Sequence, residues 1–197
     1  MDFRRRTWPW ELWGREPLPL WAQGTVLVSL LLGAVLGAVA AGSLPPAVRQ
    51  ELVEALREFF ASPSWPSAGA IFWRAFSIHG LTWFFLWMGS YSTFGFLLIP
   101  SLLLFRGFLW GFASSFLLLE GGFIGLVVAA LSLWPSQFLL LFLWWVWGAR
   151  ALYGAAQRRP LSGKDWGPAL LWLTAASLLD AYGSPAALHW ILGMVNR

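Results

Sequence analysis

The chain has 197 residues, 58% of them hydrophobic and only 11% charged, with a mean hydropathy of +0.65. A soluble domain carries roughly 25% charged residues, so this composition excludes one. The absence of cysteine excludes disulfides, thiolate catalysis and Cys-based metal sites. The net charge of +4 follows from basic loops and gives no reason to expect nucleic-acid binding.

Apolar runs long enough to cross ~30 Å of hydrocarbon recur along the sequence. They read as an all-α, polytopic helical bundle of about five transmembrane helices forming one integral membrane domain over 1–197. The short alternating segments of a β-barrel are absent from the pattern. No small-residue cleavage site follows a short apolar core near the start, so no removed signal peptide is expected.

In chain order, the first predicted span covers about 18–41 and holds Gly33 and Gly37 in GAVLG. An outer segment follows, in which Ser-Leu-Pro-Pro signals a helix start. Over 46–60, Val48, Leu52, Leu56, Phe59 and Phe60 fall on one helical face, with Arg49, Glu51, Glu54, Arg57 and Glu58 over much of the rest. This predicts a short amphipathic helix on the outer surface. Its mixed charge favours a protein contact over a polybasic lipid contact, and makes Glu51, Glu54 and Glu58 candidates for a partner surface. The same pattern also suits a helix that merely caps the bundle.

The second span is expected over 76–99, ending at Pro100, and the third over 107–119, holding Gly107 and Gly111 in GFLWG. Small-residue pairs let helix backbones approach closely, which serves packing within the chain and homodimerisation equally. The fourth span, 123–148, contains Pro135, which removes one backbone donor and leaves the Leu131 carbonyl without its usual partner. Gln137 follows closely. Either a packed kink or a discontinuous helix lining a polar site fits this pattern. The fifth span, 167–185, carries Asp180, with Gly183, Ser184 and Pro185 close behind.

Lys and Arg orient the set. With the N-terminus inside, Arg4, Arg5, Arg6, Arg15, Arg106, Arg150, Arg158, Arg159 and Lys164 fall on inner segments, against Arg49, Arg57, Arg74 and Arg197 outside. The nine-to-four split predicts an N-in, C-out topology. The Arg4–Arg6 cluster adds a contact to anionic membrane lipid. The 16 tryptophans read as interfacial belts, with Trp8, Trp10, Trp13 and Trp21 flanking the first span and Trp144, Trp145 and Trp147 closing the fourth.

A carboxylate in hydrocarbon needs a partner or a proton. Depth places Asp180 in the outer third of the core, level with Arg74 and His79 at the start of the second span, so one of these is its expected partner. The two histidines, His79 and His189, have no second metal ligand at helical spacing, and no metal site, catalytic set or cofactor is expected.

Four stretches, GAVLGAVAAGSL, FRGFLWGF, LSLWPSQF and LLDAYGSP, occur in an order and spacing that resembles the stage II sporulation protein M family. The likeness covers roughly 33–185. Arg106 and Gly107 match that family's basic-glycine turn, Pro135 its intramembrane proline, and Asp180 with Pro185 its acidic-x-x-x-x-Pro element. Where many members have Pro-His-Gly, this chain has Pro-Ser-Gln. The resemblance implies a non-enzymatic scaffold in the bacterial cell membrane, at the sporulation septum or engulfing membrane. Its implied partners are the peptidoglycan-degrading stage II sporulation proteins D and P, and its implied work is peptidoglycan remodelling during engulfment. The broken fourth helix and intramembrane Asp180 leave a permease-like or transport subunit as the alternative.

Overall fold

The computed structural model describes residues 18–61 and 66–186, without the side chains of 59–61. The described residues are mostly helical, and no strand occurs among them. Six α-helices follow in order: α1 (Leu20–Gly42), α2 (Pro46–Ala61), α3 (Ala68–Tyr91), α4 (Gly95–Val128), α5 (Trp134–Gln157) and α6 (Trp166–Leu178). A π-helical turn, Ala129–Leu133, joins α4 to α5, and a second, Leu179–Gly183, extends α6. Among the described residues, two segments are long and apolar enough to cross a membrane, Leu20–Gly42 and Gly95–Gln157. The second is far longer than one crossing and reverses at Gly122.

That reversal has a clear cause. Gly122 has φ 54° and ψ −132°, a conformation open to glycine and strained for other residues. The chain folds back there, so that Gly125 lies against the Leu117 carbonyl.

The most extensive helix pair is α1 with α4. A methyl group on Gly33 or Gly37 would strike the carbonyl of Leu104 or Phe108, and one on Gly107 or Gly111 that of Leu30 or Ala34. The two glycine pairs thus let the backbones touch reciprocally. Their order of contact makes α1 and α4 parallel. Outside this seam, α1 points Leu27, Val28, Leu31, Leu32, Val35 and Val39 outward, all exposed. Small residues inside with branched ones outside suit an apolar solvent.

The core lies among α1, α3, α4, α5 and α6. Trp83 and Trp147 meet edge to face at 4.8 Å, with Trp166 against Trp83 at 6.0 Å. Trp144 and Trp147 were expected in an interfacial belt. They are instead 2% and 1% exposed, because α5 turns their side toward α3 and α4. Trp21, half exposed, packs edge-on to Tyr153. Trp8, Trp10 and Trp13 lie outside the described residues, as do Arg4–Arg6, His189 and Arg197.

The second and third helices break elsewhere than expected. The break falls at Ser92–Phe94, inside the run GSYSTFG, where Ser92 Oγ accepts from the Phe94 N–H at 3.1 Å. Small and hydroxyl residues end α3 there. Pro100 sits early in α4, inside the helix, and does not end one. Arg106, expected in an inner loop beside Gly107, therefore lies within α4.

Candidate functional site

Arg106 is eleven residues past Gly95, so roughly 16 Å from that end of α4 at the helical rise of ~1.5 Å. Across the interface, α3 offers Thr82 and the Ile78 carbonyl. Arg106 Nε donates to Thr82 Oγ1 at 2.7 Å, and Nη2 donates to the Ile78 carbonyl at 2.7 Å and also to Thr82 Oγ1. The guanidinium carbon is 5.7 Å from the Trp144 ring centroid, a cation–π contact. On its α5 side Arg106 lines a cavity of about 110 Å³ shared with Gln137, Trp110 and Trp144. A charge at this depth costs ~2.5–3.5 kcal/mol on the lenient insertion scale, so such a residue is held by specific partners.

One position along α3, His79 turns to α6. His79 Nε2 and Asp180 Oδ2 are 3.1 Å apart. His79 is 5% exposed, and its Nδ1 is buried with no partner among the described residues. Arg74 is exposed near the N-terminus of α3 and makes no ion pair among the described residues. Of the two partners the sequence left open for Asp180, the structure brings His79 to it.

The two π-helical turns share one cause. Each ends two residues before a proline: Ala129–Leu133 before Pro135, and Leu179–Gly183 before Pro185. The proline ring cannot sit against the carbonyl four residues back, and one wide turn relieves the clash. The polypeptide thus passes Pro135 as a continuous helix with one widened turn. The turns meet: Ser184 Oγ donates to the Ser132 carbonyl at 2.5 Å. Asp180 sits in the second turn, which sets its reach toward His79. Gln137 is one turn past the first and lines the Arg106 cavity, of which Asp180 is not part. The proline positions were visible in the sequence, but their pairing and the place of Arg106 were not.

At the α2 end of the bundle, Arg49 of α2 pairs with Glu120 of α4. Glu51, Glu54 and Glu58, spaced three and four apart, share one face and are exposed. Val48 on the apolar side is 42% exposed. At the opposite end, Ser90 Oγ accepts from the Leu161 N–H at 3.1 Å, and Arg150 lies 3.8 Å from Asp165. No group of three His, Asp or Glu that could hold a metal ion occurs among the described residues.

A family model described as Stage II sporulation protein M matches residues 26–194. The chain belongs to this family. Its membership and its apolar helices make it a sporulation-related membrane protein, and stage II sporulation protein M is not a known enzyme family. Neither the curated proteins nor the solved structures give a match to this chain. The family match covers α2, both π-helical turns, Arg106 and Asp180.

Proposed function

We propose that this stage II sporulation protein M family member is a five-span, N-in, C-out membrane scaffold of the engulfment machinery. In this reading α1, α3, α4, α5 and α6 cross the bilayer, and α2 lies outside. Its partners are the peptidoglycan-degrading stage II sporulation proteins D and P at the septum, and it has no catalytic role of its own. The observation that carries the reading is α2 itself. The helix is tied to the bundle through Arg49 and Glu120 and holds three carboxylates, Glu51, Glu54 and Glu58, toward solvent. An anchor for extracytoplasmic enzymes needs such a ledge.

The transport alternative needs a polar path linking Asp180 to Gln137 and the inner side. Asp180 is bound to His79, Gln137 opens on a different cavity, and Trp83, Trp147 and Trp166 pack together in the core of α3, α5 and α6. This filled interior favours the scaffold. The test is co-purification from sporulating cells with the Glu51→Lys, Glu54→Lys, Glu58→Lys triple variant. Recovery of the two hydrolases is expected to fall at least tenfold, ~1.4 kcal/mol of recruitment, with membrane insertion unchanged. Undiminished recovery would make α2 a cap on the bundle.

A further inference from the structure

The Arg106 cavity is rich in donors and poor in acceptors. A guanidinium carries five N–H groups. Those on Nε and Nη2 are used by Thr82 and Ile78, while Nη1 has no partner among the described residues. Among the described residues no carboxylate pairs with Arg106: Asp180 is with His79, Glu120 with Arg49, and Asp165 with Arg150. Trp110 Nε1 is buried without an acceptor among the described residues. Gln137 lines the same cavity and makes no hydrogen bond among the described residues. About 110 Å³ holds one carboxylate group, or three to four waters at ~30 Å³ each.

Depth selects the occupant. A phospholipid phosphate sits at the edge of the ~30 Å hydrocarbon core, and Arg106 is roughly 16 Å along α4 from its inner end. A headgroup would have to leave its interface to arrive. Leu109 lines the cavity and is 43% exposed, and Phe138 beside it is 56% exposed, so the opening is on the apolar outer face of the bundle between α4 and α5. A group on another membrane helix reaches that face at the right depth by sideways diffusion.

We propose that the α4–α5 groove at Arg106 docks a transmembrane helix of a partner protein bearing an Asp or Glu at its midpoint. The carboxylate is received by Arg106 Nη1, the Gln137 amide and Trp110 Nε1. Leu109 and Leu141 flank it. This deepens the scaffold reading and rests on it, because it states how an anchor grips a membrane-tethered partner within the bilayer.

The test uses the full chain, labelled at a cysteine placed at exposed Ser162, in phosphatidylcholine vesicles. The probes are synthetic leucine–alanine helices of about 20 residues with Glu, Gln or Leu at the centre. Energy transfer should report roughly tenfold tighter association of the Glu helix than of the Leu helix. Arg106→Gln should abolish that preference. Gln137→Leu, which leaves the bonds from Arg106 to α3 intact, should reduce it several-fold while preserving the fold. Equal binding of all three helices to the unaltered chain would overturn the proposal and leave water in the cavity. A preference that survives both substitutions, or displacement of the Glu helix by stoichiometric oleate, would overturn it as well. Because α2 is untouched, failure here with hydrolase recruitment retained rejects this groove and spares the scaffold reading.

Discussion

Gly37→Ala is the most direct probe of the bundle. The new methyl would lie under 3.0 Å from backbone atoms of Phe108 and Phe112, which cannot rotate aside as a side chain can. Relief requires α1 to retreat from α4 along the whole seam, because Gly33, Gly107 and Gly111 are in equally close contact. Overpacking of this kind costs about 1–3 kcal/mol. Alanine returns up to ~1 kcal/mol of helix propensity, so with the full return the net loss is up to ~2 kcal/mol. Gly24 supplies the control: nothing lies within 4 Å of a methyl there, and Gly24→Ala should be neutral or stabilising. The assay is loss of monodisperse protein on heating in detergent, followed by size-exclusion chromatography. Gly37→Ala with Gly111→Ala should cost less than the sum of the two, since one retreat makes room for both methyls. A Gly37→Ala protein as stable as Gly24→Ala would refute the close seam.

For the pair between α3 and α6, Asp180→Asn and His79→Gln should each lower thermal stability, and the double variant should lose little more than either; strict additivity would remove the direct interaction. Combining Asp180→Asn with Arg74→Gln should instead be additive. For the topology, single cysteines at exposed Ser43 and Ser162 should label from opposite faces, Ser43 in intact cells and Ser162 only after permeabilisation; labelling of both from one side would exclude an N-in, five-span arrangement.

Helical class, membrane character and family were legible because they rest on composition, run length and several motifs in order. The position of Arg106 was not. A basic residue next to glycine between two apolar runs looks like a loop, and the turn-forming run GSYSTFG competes for the same break only fourteen residues upstream, counted from Ser92. What decides between them is tertiary: Thr82 and the Ile78 carbonyl on α3 make a mid-helix guanidinium tolerable. The tryptophans of α5 misled for a related reason, since indoles serve a core as readily as an interface. Pro135 and Pro185 announced local breaks, but a sequence does not say that two widened turns will face each other through Ser184 and the Ser132 carbonyl. Nor does it say which helix meets the glycine pairs of α1.

The parallel seam has a consequence for biosynthesis. Gly33 and Leu104 touch, yet 71 residues separate them in the chain (104 − 33). At ~5–20 residues per second, α1 emerges roughly 4–14 seconds before its partner surface on α4 exists. For that interval its grooved side faces lipid with nothing to fill it, and a neighbouring molecule that is further along presents the same α4 surface. Exchange of α1 between two nascent chains would satisfy every seam contact within each resulting unit. Yield of the correctly closed form should therefore depend on how densely ribosomes load the message, a form of sensitivity that no property of the finished protein reveals.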